Sequence, residues 1–203
     1  MTENRQYAEM RRAAAERLAG RDPAELAARG GLDYDRERGS MALRVFGQEL
    51  TLRFPSLELT PEPGMWIDLT ILQYLDAADG TPLTGRDMGL SEFAEGGLVR
   101  GSSFDRENDR LLARIGSFDP AVIRAAAAKL GGEELDSRAD LCFRFRFLPR
   151  FPMTVSLWLA DEEFPAGGKV LLDASAEHYL LVEAAGSLGV VLLEKLAAAC
   201  AGD

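Results

Sequence analysis

The sequence predicts an α+β fold: two antiparallel β-meanders, or one continuous curved antiparallel sheet, packed by N-terminal, central and C-terminal helices. Three observations predict it. Residues 32–54 and 141–172 each carry apolar and polar residues in alternation, the period of a strand with one buried face. Helical periodicity fills the chain before, between and after these stretches. Strands do not alternate singly with helices, as a parallel sheet of βαβ units requires. The expected organisation is an N-terminal helical segment, 1–31, followed by a single α+β domain over 32–203.

Taken in order, residues 3–19 predict a helix, because Tyr7, Met10, Ala14 and Leu18 recur at spacings of three and four. A short helix follows. Asp22 is its cap, Pro23 suits the first position, Glu25 stands where a capping box needs it, and Gly30-Gly31 stops it. A three-stranded meander is predicted over 32–54, with a two-residue turn at Gly47-Gln48. Pro55, Pro61 and Pro63 then break regular structure. Residues 64–78 predict a buried helix ended by Asp79-Gly80, and 80–103 a long glycine-rich loop with a short element at Leu90–Phe93. Helices are predicted at 104–116 and from Asp119-Pro120 to Gly131-Gly132. The second hairpin follows, Leu141–Phe147 against Met153–Leu159, each strand burying one face. Lys169–Leu172 is a short strand, and Asp173 or Ser175 opens a helical region to about Ala199, broken near Gly186.

Composition bounds the function. The 203 residues are 47% hydrophobic and 28% charged, which suits a globular core. Acids outnumber bases 33 to 23, a net charge of −10, the wrong sign for neutralising phosphates, so no nucleic-acid partner is expected. Cys142 and Cys200 form no CxxC pair, so no four-cysteine zinc site or iron–sulfur cluster is expected, and both read as free thiols in a reducing compartment. The first twenty residues lack an apolar leader core, and no apolar run reaches membrane-spanning length. A cytoplasmic protein without a membrane partner is the expectation.

Several motifs carry a resemblance. Leu148-Pro149-Arg150-Phe151-Pro152, Asp161-Glu162-Glu163-Phe164-Pro165-Ala166 and Leu172-Asp173-Ala174-Ser175-Ala176-Glu177-His178-Tyr179-Leu180 stand around the second hairpin. Upstream runs Leu75-Asp76-Ala77-Ala78-Asp79-Gly80-Thr81-Pro82-Leu83-Thr84-Gly85-Arg86. Together they resemble the prokaryotic family "domain of unknown function 3786" over most of residues 30–185. The resemblance implies a cytosolic protein of anaerobic bacteria and archaea. Some members add a cysteine-rich segment similar to an iron–sulfur module, which this chain lacks. The family brings no activity with it.

Four groups of residues are candidates for a site. His178 is the only histidine. A neutral imidazole can ligate a metal or a tetrapyrrole iron or cobalt, or move protons near neutrality. Its plainer reading is a hydrogen-bonded structural residue. Asp161, Glu162, Glu163 and Asp173 offer hard oxygen ligands for a metal, or a general acid and base. Yet Asp173 reads more simply as a helix cap, about 13 Å along the ladder from Asp161. Arg144, Arg146 and Arg150, with Arg44 and Arg53 on the other meander, can line an anion-binding face. The plainer alternative is polar-out alternation. Gly96-Gly97 matches no nucleotide-binding fingerprint, and Ser102-Ser103 has no nucleophile-elbow context. Cys142 shares its strand face with Arg144.

Three functions follow. The leading one is a non-catalytic small-molecule or cofactor-binding accessory protein of anaerobic metabolism, with the 80–103 loop, the arginine strand face and His178 as its site; a tetrapyrrole or a metal are the cofactors considered, and none is assigned. The alternatives are a metal-assisted enzyme using the acidic loop and His178, and a protein-interaction module. The partners expected are a small molecule or another protein.

Overall fold

The computed structural model describes residues 2–93 and 103–202. The fold is α+β, with six helices and two antiparallel sheets among the described residues. The alternative of one continuous sheet is thereby settled in favour of two.

Helix α1 (Thr2–Leu18) and α2 (Pro23–Gly30) form as their caps dictate. The Asp22 carboxylate accepts from Ala24 N, and Gly31 closes α2 in the left-handed conformation at φ 69°. Glu25 does not act as a capping-box residue here; it pairs with Arg29 one turn later. Both helices pack on α3 (Met65–Ala77). Its buried Asp68 accepts from Tyr7 Oη and Arg11 Nε, each at 2.6 Å, and Arg11 also donates to Leu57 O at 2.7 Å. Burial and the Asp68 charge push the Tyr7 phenol up to about 12.

The first sheet has four strands in sequence order: β1 (Tyr34–Asp35), β2 (Ser40–Val45), β3 (Gln48–Arg53) and β4 (Glu58–Thr60). Two details depart from the sequence reading. A fourth strand forms between the prolines, because Pro55 and Pro61 flank it rather than occupy it. The β2–β3 turn centres on Phe46-Gly47, one residue earlier than predicted, since Val45 pairs with Gln48 and both central residues have positive φ, 46° and 79°. That is the twist a two-residue hairpin needs.

The second sheet has the order β5 (Asp87–Gly89), β9 (Gly167–Asp173), β8 (Phe151–Trp158), β7 (Leu141–Leu148), β6 (Glu133–Glu134). β5 emerges from the stretch read as loop and pairs with β9; a 3-10 turn over Leu90–Glu92 follows it. Phe143, Phe145 and Phe147 of β7 are buried as alternation requires. β8 does not alternate: it is buried from Phe151 through Leu157 on both faces, as suits the central strand. α4 (Ser103–Ile115) packs on β9, and α4 and α5 (Pro120–Lys129) pack on α6 (Val182–Ala201).

α6 runs 20 residues without a break, because Gly186 and Gly189 are buried helical positions rather than a stop. By length and composition α6 could cross a membrane, and half of its most apolar window is buried within the fold.

The two sheets meet where β2 runs beside β7. The Phe46 N–H, in the β2–β3 turn, donates to Arg146 O on β7 at 3.2 Å. Gly47 sits so close to the end of α5 that an added Cβ would lie 2.9 Å from Lys129 O. The outer faces of the two sheets therefore adjoin.

Candidate functional site: an arginine-lined cleft between the sheets

Arg44 projects from the outer face of β2, where Ser40, Ala42 and Arg44 alternate with buried Met41, Leu43 and Val45. Arg144 and Arg146 occupy the equivalent face of β7, opposite the phenylalanines. The junction brings the three together in a cleft of about 470 Å³, whose other charged lining residues are Asp33 and Glu133. Three arginines and two carboxylates line it, and Glu49 and Asp87 outside the lining face Arg44 and Arg144.

These arginines are weakly held. Arg44 reaches Glu49 at 3.5 Å and Arg146 reaches Glu133 at 3.9 Å, all four side chains being mostly exposed. Arg144 spans the two intervening strands to meet Asp87 on β5 at 3.5 Å. Its Nε is buried without a hydrogen-bond partner, and so is Oγ1 of Thr154, its cross-strand neighbour on β8. Buried polar atoms are usually paired, so two adjacent orphans mark a place where hydrogen-bonding capacity is in excess. By contrast, Arg11, Arg17 and Arg29 make contacts of 2.5–2.6 Å elsewhere.

Arg150, predicted with this group, lies apart from it. Its guanidinium donates to Gly80 O at 2.6 Å and Thr81 O at 3.1 Å, and its stem packs on Gly31. It is a tie between the β7–β8 turn and the loop after α3. The Tyr179 hydroxyl donates to the same Thr81 carbonyl, and Tyr179 stacks on Tyr74 at 5.3 Å.

His178 closes a 3-10 turn over Ala176–His178. Its Nδ1 lies 2.6 Å from Asp79 Oδ2 and 3.2 Å from Thr81 Oγ1. The Thr81 N–H and hydroxyl, then His178, hold the Asp79 carboxyl at about 2. A carboxylate on one ring nitrogen is the partner that orients a ligating or proton-moving imidazole. His178 is half exposed and does not line the cleft.

The acidic candidates are not brought together. Asp161 accepts from Glu163 N and Phe164 N in its own turn, which lowers its pKa. β9 begins at Gly167, opposite Trp158, so Asp173 stands six residues further along, about 20 Å at strand rise. Among the described residues no three His, Cys, Asp or Glu side chains are grouped to hold a metal ion. Asp161, Glu162, Glu163 and Asp173 form no such group.

Asp173 has a different task from a long-helix cap. It is buried and accepts from Thr84 N and Oγ1, Gly85 N, and Ser175 N and Oγ, at 2.7–3.0 Å. Burial raises its pKa, but the Thr84 and Ser175 hydrogen bonds outweigh this and hold it at about 2. Cys142 is buried, with Sγ 3.5 Å from Ser156 Oγ. Gly96-Gly97 and Ser102 lie outside the described residues, and Ser103 opens α4.

Sequence reasoning missed Asp79, Asp87 and Thr154. The Asp79-Gly80-Thr81 triplet did carry a signal, since Asp79 accepts from Thr81 N as Asx turns do. Asp87 and Thr154 carried none, because each depends on the order of strands in the sheet.

Fold and site together define an α+β protein with two antiparallel sheets sharing a polar, arginine-lined outer junction. The chain belongs to the family described as Domain of unknown function (DUF3786), whose model matches residues 22–195. No curated protein and no solved structure matches it.

Proposed function

We propose that the protein binds a small anionic molecule in the cleft between its sheets, without turnover, as an accessory protein of anaerobic metabolism. The observation that carries this reading is Arg144. Among the described residues its Nε is buried and without a partner, and its terminal nitrogen meets Asp87 at 3.5 Å, at the edge of hydrogen-bond reach. A guanidinium offers five donors in a planar fork suited to carboxylate or phosphate. Arg44 and Arg146 line the same cleft and add charge. The cleft's 470 Å³ lies within the range of small-molecule sites. The dispersed carboxylates give no support to a metal-assisted enzyme.

Thermal unfolding with inorganic phosphate and succinate, against chloride at matched ionic strength, tests this. A ligand at a hundred times its Kd stabilises by about 2.7 kcal/mol. Phosphate also stabilises proteins by general exclusion, so the variant is decisive. The expected result is a rise in Tm that Arg144→Ala abolishes. A rise equal in the wild type and the variant, or none with either anion, overturns the reading.

A further inference from the structure

The cleft does not end at Arg44. A second cavity of about 590 Å³ lies over the outer face of the first sheet and shares Asp33 and Ala42 with the cleft. Arg53, Arg38 and Asp35 line the rest of it, Asp35 meeting Arg38 at 3.6 Å. The register fixes the spacing. Arg44 pairs with Glu49, whereas Arg53 pairs with Ser40, four residues along β2 from Arg44. At strand rise those rows are about 13 Å apart on one face. Arg53 makes no ion pair among the described residues, although Glu58 stands opposite it on β4. Between the two ends the groove changes character. Ala42 and Thr51 form its floor, Ser40 lies in the row of Arg53, and Asp33 stands where the two cavities join.

We infer that the groove takes an elongated ligand with an anionic group at each end and no negative charge between. One end is held by Arg144, Arg146 and Arg44, the other by Arg53. Asp33 repels negative charge in the middle and accepts from a hydroxyl or amine placed there. A molecule charged along its whole length, such as polyphosphate or a nucleic-acid backbone, meets Asp33 unfavourably. This inference rests on the reading of the cleft as an anion site.

The test is calorimetric titration with α,ω-dicarboxylates graded from succinate to dodecanedioate, with hexanoate as the single-ended control and linear polyphosphate as the evenly charged one. Affinity is expected to rise at the lengths that bridge both rows. Arg53→Ala is expected to cost about tenfold for the bridging dicarboxylate, roughly one charged hydrogen-bonded contact, and to leave succinate unchanged. Arg53 is exposed, and an unchanged Tm of the unliganded variant verifies its fold. If succinate binds but length has no effect, or Arg53→Ala changes nothing, the two-ended ligand is wrong and the cleft reading stands. Polyphosphate binding more tightly than the bridging dicarboxylate also overturns it. If neither succinate nor phosphate binds, both readings fall.

Discussion

Asp173 and Thr84 lie 89 positions apart, yet the Asp173 carboxylate accepts from both the N–H and the hydroxyl of Thr84, each at 3.0 Å. The same carboxylate takes the Gly85 N–H at 2.7 Å. One buried acid thus fastens the loop after α3 to the end of β9, beside the strand β5 that the loop leads into.

Removing that acid should be costly. Asp173→Ala leaves three backbone donors, those of Thr84, Gly85 and Ser175, without their acceptor. Each unsatisfied buried donor costs about 1–3 kcal/mol, partly recovered by water. A loss of about 3 kcal/mol is expected from urea unfolding. A loss under about 1 kcal/mol means that the loop is held by Arg150 and Tyr179 alone.

Acid should release the same region. Asp79 and Asp173 are both held at about 2, below their ordinary value of 3.8. A carboxyl depressed in the folded state contributes stability above its unfolded pKa, and the contribution fades as pH falls towards the folded one. Stability is therefore expected to drop between about pH 4 and pH 2. Urea midpoints across that range, compared with Asp79→Asn and Asp173→Asn, provide the check. Each variant should show a shallower fall than the wild type, and parallel curves would sink the assignment.

The β2–β3 turn offers a steric prediction. Gly47 has φ 79°, and its missing Cβ would sit 2.9 Å from main-chain atoms of Lys129 and Leu130. Main chain cannot step aside as a flexible side-chain tip can. Gly47→Ala should cost about 1–3 kcal/mol through strain and overpacking together. Circular dichroism melting reads it directly, and a neutral substitution would show that the turn and α5 separate freely.

What could be read from the sequence was local chemistry. Asp22 and Asp119 capping their helices, the left-handed Gly31 and the buried phenylalanines of β7 all follow from neighbours a few residues apart. What could not be read was anything set by the order of strands. β5 consists of three residues with no alternation of burial, and it exists because β9 offers it a free edge. Arg144 and Arg146 were legible as an outward face, and Arg44 as another, but only the meeting of the sheets makes them one site. Arg150 looked like their companion by spacing; the turn between Leu148 and Phe151 carries it away to two carbonyls instead.

The hydrogen bond from Phe46 N to Arg146 O has a mechanical meaning. It is made between main-chain atoms, so the backbone gauges the separation of the two sheets alongside the packing of Phe46 on Phe147. Replacing a lining side chain then retunes the cleft's preference without resetting its width. A guest finds the opening already at its working width, and spends little of its interaction energy on prising the sheets into place.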